Sequence, residues 1–279
     1  MDNIITQEHI DAYCLSLLAD ERAAGTVAKY RRDLAAFALW LDRRGVTKEN
    51  AARWKAHLLE RGYKPTSINA MLSAINGFFA FMGWSIRVKF LKIQHQLFRD
   101  PTREMTRQEY DRLLAAARET GQERLALIME TLCATGIRIS ELRYITVEAA
   151  KDGRATITLK GKIRTILLPA KLCRKLVKYA RKQKTASGEI FLTKSGRPIT
   201  RRQVWFELKR LCRAAGVEPT KVFPHNLRHL FATTFYRACR DIVRLADMLG
   251  HSSIDTTRIY LMVSGAEQQR QLDRLGLVS

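Results

Sequence analysis

Apolar side chains recur at three- and four-residue steps through most of this chain, and that spacing commits it to a largely helical fold. In the first part of the chain the pattern predicts four helices, near residues 7–20, 27–41, 47–62 and 65–82. Thr26 and Thr47 are the expected N-caps of the second and third helices, and Pro65 suits the first turn of the fourth. Helices of this length pack as a small bundle, so we expect a helical N-terminal domain over residues 1–90.

The helical pattern is lost after residue 85 and returns near residue 105. Pro101 and several basic residues occupy this interval, and we interpret residues 91–104 as a basic linker. A new helical region begins at Thr106, whose three-residue spacing to Glu109 suits a capping box. Residues 105–279 are therefore predicted to form a second domain.

One segment of the second domain departs from helical spacing. Polar and apolar residues alternate from Thr156 to Lys160, and an apolar run follows from Ile163 to Leu168, with Gly161 between them. Alternation on both sides of a glycine predicts an antiparallel β-hairpin with a basic tip. The expected fold class is mainly α with a small antiparallel β-sheet.

Positive charge is concentrated in the same domain. The chain carries 49 Lys and Arg against 27 Asp and Glu, a formal net charge of +22. Residues 154–221 alone hold 19 basic and 3 acidic side chains. A folded protein this basic repels itself unless a polyanion relieves the field, and nucleic acid is the commonest polyanion. The helix predicted near residues 200–215 is basic and amphipathic, and is a candidate for contact with a DNA groove or backbone.

Cysteine usage and hydropathy exclude other classes of protein. The five cysteines lie far apart, and no Cys or Cys/His cluster has the spacing of metal ligands. We therefore expect no metal, no cofactor and no disulfide framework. The sequence shows neither a signal-peptide pattern nor an apolar run of about 20 residues. These features predict a soluble, cytoplasmic protein with no membrane partner.

Three sequence blocks in the second domain carry groups suited to phosphate chemistry. They are ATGIRISEL at residues 134–142, HNLRH at residues 225–229, and LGHSS at residues 249–253. Tyr260 follows His251 by nine residues. In this order, and with a hairpin between the first two blocks, they resemble the motifs of the tyrosine recombinases, or phage integrases. The resemblance is close over about residues 105–265.

The resemblance implies a catalytic set without a metal or nucleotide. Its members are Arg138, Lys160, His225, Arg228, His251 and Tyr260, with Tyr260 as the nucleophile. Two guanidiniums from distant blocks would bind the non-bridging phosphate oxygens through paired donors, a geometry that lysine reproduces poorly. Glu141 is expected to be the buried partner that orients this site, because an unpaired arginine near a core is costly.

Several of these assignments leave alternatives open. Lys162, across the turn from Lys160, is a second candidate for the acid that protonates the leaving 5′-oxygen. His225 would either hydrogen-bond the phosphate or accept the tyrosine proton. His229 and Tyr236 are better explained by packing than by catalysis.

The resemblance also implies an activity and partners. It indicates a two-domain, Xer-like site-specific recombinase that acts on double-stranded DNA through a 3′-phosphotyrosine, with a SAM-like core-binding N-terminal domain. Two protomers would bind each recombination site and four would form the synapse. The tail after Ser264 has the apolar spacing of a short helix that would dock on a neighbouring protomer. A type IB topoisomerase and a catalytically idle DNA-binding regulator on the same fold are the alternatives.

Overall fold

The computed structural model describes residues 3–93, 101–159, 162–260, 268–270 and 273–275. The chain divides into two compact units, Met1–His95 and Gln96–Ser279. Over the described ranges both units are mainly helical, and one two-stranded antiparallel sheet lies in the second unit. The predicted fold class is confirmed. Within the same ranges, no helix combines the length and apolar character needed to cross a membrane.

The first unit contains four α-helices. They are α1 (Gln7–Ala19), α2 (Ala24–Leu41), α3 (Lys48–Glu60) and α4 (Pro65–Phe81). Their apolar faces enclose an aromatic core in which the side chains of Phe37, Phe78 and Phe79 are fully buried. Thr47 caps α3 as predicted, its hydroxyl accepting the Asn50 N–H at 3.1 Å.

The predicted N-cap of α2 is wrong. The helix begins at Ala24, and Thr26 lies inside its first turn, where its N–H donates to the carbonyl of Ala23. The N-cap residue Ala23 has no side-chain oxygen, so this helix starts without a side-chain cap. The helix thus includes Ala24 and Gly25 before the threonine, and neither residue carries a side-chain signal for a helix start.

An extended segment follows α4 and packs against that helix. The Asn76 amide donates to the Val88 carbonyl and accepts the Val88 N–H, both at 2.9 Å. Asn69 makes the same pair of bonds with Leu91, at 2.9 and 2.8 Å. The loss of helical periodicity after residue 85 is thus explained by extended chain held on α4. Residues 94–100, half of the predicted linker, lie outside the described residues.

The second unit contains the remaining elements. In chain order they are α5 (Arg107–Glu119), α6 (Glu123–Thr135), α7 (Val147–Asp152), β1 (Arg154–Leu159), β2 (Lys162–Leu167), α8 (Ala170–Lys182), α9 (Arg201–Ala215), α10 (Pro224–Cys239), α11 (Ile242–Leu249) and α12 (Asp255–Arg258). Short 3-10 turns occur at Pro101–Arg103, Ile139–Tyr144 and Pro219–Lys221.

Local signals fix several of these elements. Thr106 and Glu109 form the predicted capping box of α5, and Thr200 caps α9 in the same way. In the hairpin, β1 pairs with β2 so that Leu159 lies opposite Lys162. Alternate strand residues such as Ile157 and Ile166 are buried in the core. Residues 160 and 161, between the two strands in sequence, lie outside the described residues.

Helix α10 packs against α6, α11 packs against α10, and α12 packs against α11. A small apolar cluster joins them, made of Phe231 and Ala232 from α10, Leu245 and Leu249 from α11, and Tyr260. Beyond Tyr260 only residues 268–270 and 273–275 are described, with 268–270 helical. The predicted docking tail therefore falls mostly outside the described residues.

Candidate active site

Helix α6 ends at its C-cap residue, Gly136, two residues before Arg138. Gly136 adopts a left-handed conformation with φ +65°, and a Cβ at that position would collide with the Phe231 ring. The following turn carries Arg138 at its N-cap, and the Arg138 N–H donates to Oε2 of Glu141 at 2.7 Å. The Arg138 guanidinium also donates to Oε1 of Glu141, at 3.2 Å. Glu141 is thus the buried orienting partner that the sequence predicted, at 1% exposure.

A second arginine, not predicted from the sequence, shares this carboxylate. Arg164 on β2 donates to Oε2 of Glu141 at 2.7 Å and to the Met248 carbonyl at 3.3 Å. Burial lowers the pKa of Arg164, and the neighbouring Glu141 carboxylate opposes that shift. The available signal was strand alternation, which places Arg164 on the same inward face as Ile166. A cation at an inward position requires a buried partner.

Arg228 joins the second and third sequence blocks to the first. It lies in the second turn of α10 and is 3% exposed. Its guanidinium donates to the carbonyl of Gly136, just beyond α6, and to the carbonyl of Leu249 at the end of α11, the latter at 2.8 Å. Carbonyls at helix C-termini lack intrahelical donors, so one buried cation satisfies two helix ends.

His251 follows Gly250, the C-cap of α11, and contacts Arg228. Its Nε2 lies 2.9 Å from Nη2 of Arg228, and its Nδ1 lies 2.9 Å from Oγ1 of Thr257. Burial, followed by the positive charges of Arg228, Arg138 and Arg164, lowers the pKa of His251 to about 4. The imidazole is therefore neutral at pH 7. Because a guanidinium only donates, Nε2 accepts and Nδ1–H donates to Thr257.

Tyr260 is buried beside these groups, at 3% exposure. Its ring stacks on His251 with centroids 6.1 Å apart and meets His229 edge-on at 5.1 Å. The Tyr260 hydroxyl also interacts with Arg228 by charge and hydrogen bonding, which raises the pKa of that guanidinium against the lowering effect of burial. The predicted nucleophile thus lies against Arg228 and His251.

His229 and Tyr236 have the packing environments that the sequence predicted. Nε2 of His229 lies 3.6 Å from Oε1 of Glu104, behind the edge-on contact with Tyr260. Tyr236 is partly buried against the apolar cluster of α10 and α11, with the Arg240 guanidinium over its ring. Sequence reasoning missed Thr257, which is fully buried and fixes the ring of His251.

His225 lies in the first turn of α10, and the residue is exposed to solvent. Desolvation of its imidazole, followed by the charges of Arg228, Arg138 and Arg201, lowers the pKa of His225. Arg138 therefore acts electrostatically on Arg228, His225 and His251, which places the three sequence blocks around one positively charged centre. Lys160 lies outside the described residues, and Lys162 is the first residue of β2.

A buried tyrosine in contact with a buried arginine and a neutral histidine, with the charge of a second arginine acting on both of these, is the arrangement expected of an enzyme in which a tyrosine attacks a phosphate. The chain matches the catalytic domain of the phage integrase family over residues 103–267 and the phage integrase N-terminal SAM-like domain over residues 10–85. It belongs to the phage integrase family and is a tyrosine recombinase.

Individual relatives agree with this assignment. The chain is 31% identical to tyrosine recombinase XerA of Thermococcus kodakarensis, over 82% of each chain. It is also 31% identical to tyrosine recombinase XerD of Xanthomonas campestris, over 87% of this chain and 83% of that protein. Among solved structures, XerH recombinase bound to its difH substrate superposes with a TM-score of 0.73 at 18% identity, covering 99% of this chain and 91% of that one.

Proposed function

We propose that this tyrosine recombinase cleaves and rejoins double-stranded DNA at specific sites, with Tyr260 as the covalent nucleophile. The observation that carries the proposal is the position of Tyr260, which packs on His251 and interacts with Arg228. Arg228 in turn reaches the carbonyl beside the Arg138 turn. Through Arg228, Tyr260 is thus linked to the Gly136 carbonyl, which lies more than 120 residues earlier in the chain.

The proposed reaction conserves the energy of the phosphodiester. The Tyr260 oxygen attacks phosphorus, the bond from phosphorus to the 5′-oxygen breaks, and a 3′-phosphotyrosine remains. Attack by a 5′-hydroxyl of the partner strand reverses the ester. Since the phosphodiester is exchanged for an ester of similar energy, the cycle needs no nucleotide.

Two arginines would stabilise charge on the phosphate in the transition state. The Arg138 side chain is 41% exposed while Glu141 holds it from behind, so its outer N–H groups are open to a ligand. Arg228 now donates to main-chain carbonyls and His251, and a phosphate oxygen would compete with these acceptors. Fixed donors directed at developing charge commonly contribute a factor of about 10²–10³ in rate.

The two proton transfers have separate candidates. A lowered pKa keeps the His225 imidazole neutral at pH 7, and a neutral imidazole is able to accept the phenol proton. Lys160 at the hairpin tip would protonate the leaving 5′-oxygen, with Lys162 as the alternative. Both transfers are proposals that rest on the resemblance and on the charges near the site.

The partners are proposed from charge and from relatives. Residues 154–221, with their 19 basic side chains, would bind the DNA backbone. Lambda integrase has been solved as a dimer bound to a core site and as a tetramer bound to a Holliday junction. We propose the same assembly here: a dimer on each site and a tetramer in the synapse, with cleavage in the cytoplasm, where free cysteines persist.

The domain roles follow the same reasoning. Residues 1–90 would form the core-DNA-binding domain, residues 91–104 a basic linker and residues 105–279 the catalytic domain. Site-specific integration into DNA, transfer of a mobile element and resolution of chromosome dimers would all use this one catalytic set.

A nicked suicide duplex carrying the protein's own recombination site tests the proposal. Wild type should form an adduct that survives denaturation, whereas Tyr260→Phe should form none; Tyr236→Phe is the matched control and should react normally. Recombinant products from a plasmid with two sites support recombination. Relaxation of any plasmid without recombinants would indicate a topoisomerase, and binding without an adduct would indicate an idle regulator.

A further inference from the structure

Arg164 is a largely buried cation at a point where a strand residue would ordinarily be apolar. Its side chain is 16% exposed, and across the hairpin it pairs with the buried residue Ile157. Removing a guanidinium from water is costly unless a paired charge and hydrogen bonds replace the lost hydration. The carboxylate of Glu141, 2.7 Å from Nη2 of Arg164, supplies that replacement.

The second contact of Arg164 is with a different part of the site. Nη1 of Arg164 donates to the Met248 carbonyl at 3.3 Å, in the last turn of α11. The guanidinium also fills the space beside Gly250, where a Cβ would collide with Arg164. Gly250 directly precedes His251. One side chain thus links the hairpin to the Arg138 turn and to the segment that carries His251.

We propose that Arg164 is a positioning residue for phosphate binding: it fixes Glu141, and through it Arg138, while holding the end of α11 and through it His251. This inference rests on the proposed function of the same site. Arg164 does not need to touch DNA. Its planar fork suits the role because one nitrogen reaches the carboxylate and another reaches the carbonyl, whereas a lysine offers a single ammonium.

The cleavage step should be sensitive to the loss of this link. Displacement of a binding group by about 1 Å can lower a reaction rate about 10²-fold. The affinity for DNA should change little, because phosphate contacts spread over the basic surface provide most of it. A purely structural role would instead lower stability, DNA binding and cleavage together.

The test measures single-turnover cleavage of the nicked duplex, DNA affinity and the melting temperature for wild type, Arg164→Met, Arg164→Lys and Arg112→Met. Arg112 is an exposed arginine of α5 and serves as the matched control. We expect Arg164→Met to cleave about 10²-fold more slowly at saturating protein, with DNA affinity within about threefold of wild type. Arg164→Lys keeps the charge opposite Glu141 and should fold, bind DNA and cleave at an intermediate rate. Arg112→Met should behave as wild type.

Each outcome has one meaning. If wild type forms no adduct, the proposed function fails. If wild type reacts and Arg164→Lys cleaves at the wild-type rate, the inference is overturned while the function stands. The inference is also overturned if both Arg164 variants lose DNA affinity in proportion to cleavage.

Discussion

Nη2 of Arg228 and Nε2 of His251 are 2.9 Å apart, so His251 engages a donor that Arg228 would need for the proposed phosphate contact. The Arg228 hydrogen occupies the Nε2 lone pair, while Nδ1 of His251 is held by Thr257 at 2.9 Å. An incoming phosphate oxygen is a stronger acceptor than an imidazole nitrogen. When DNA binds, Arg228 would therefore give up its hydrogen bond to His251 and donate to a phosphate oxygen instead.

Arg228→Lys should abolish most cleavage without removing the positive charge. A lysine ammonium cannot reach the Gly136 and Leu249 carbonyls and a phosphate together in the fixed geometry of the fork. We expect the single-turnover cleavage rate to fall about 10²–10³-fold. Binding to the duplex should stay within a few fold of wild type, as judged by gel shift at the same salt concentration. Cleavage at more than a tenth of the wild-type rate would contradict the role given to the guanidinium.

His251 should make stability depend on pH. Its pKa is lowered from 6.5 to about 4 in the folded state, so the unfolded chain binds more protons between these values. The stabilisation is complete above about pH 6.5 and is lost as pH falls towards 4. Urea unfolding of wild type and His251→Gln from pH 7 to 4 should show a steeper loss in wild type. Parallel curves for the two proteins would rule out the proposed cause.

Gly136→Ala should destabilise the second unit by steric overlap as well as backbone strain. A Cβ there collides with Phe231, whereas Gly216, with a similar φ of +58°, has open space around it. Both substitutions carry the strain of a left-handed alanine, so their difference isolates the collision. We expect Gly136→Ala to lower the free energy of unfolding by about 1–3 kcal/mol more than Gly216→Ala does. Equal losses in urea titrations would show that Phe231 moves aside without cost.

The sequence predicted correctly those features that depend on residues close together in the chain. The capping box of Thr106 and Glu109 and the alternation of the hairpin are both local signals, and the structure contains each. The partnership of Arg138 with Glu141 is also local, since the two lie three residues apart.

The features that sequence reasoning missed depend on contacts between distant segments. Arg164 meets Glu141 across 23 residues and Met248 across 84. Thr257 matters because it bonds one ring nitrogen of His251 while Arg228 of α10 contacts the other. The sequence of α12 contains no pattern that indicates this role. The start of α2 was misplaced because the helix begins without a side-chain cap, so the polar residue nearest its start, Thr26, was a false signal.

Asn76→Ala should loosen the segment that follows α4. The Asn76 amide makes two hydrogen bonds of 2.9 Å with the main chain of Val88, and alanine leaves both backbone groups without this partner. We expect a loss of about 1–3 kcal/mol in the free energy of unfolding. Hydrogen exchange at the Val88 amide should accelerate as well. Ser73→Ala, at an exposed position of the same helix, is the control and should leave both quantities unchanged.

The central claim is that the Tyr260 oxygen becomes esterified to a DNA 3′-phosphate. The most direct measurement is mass spectrometry of the protease-digested adduct from the nicked duplex, together with analysis of the released strand. The account predicts a nucleotide joined through its 3′-phosphate to the peptide that contains Tyr260, and a free 5′-hydroxyl on the released strand. A nucleotide attached to any other residue, or a 5′-phosphate on the released strand, would contradict it.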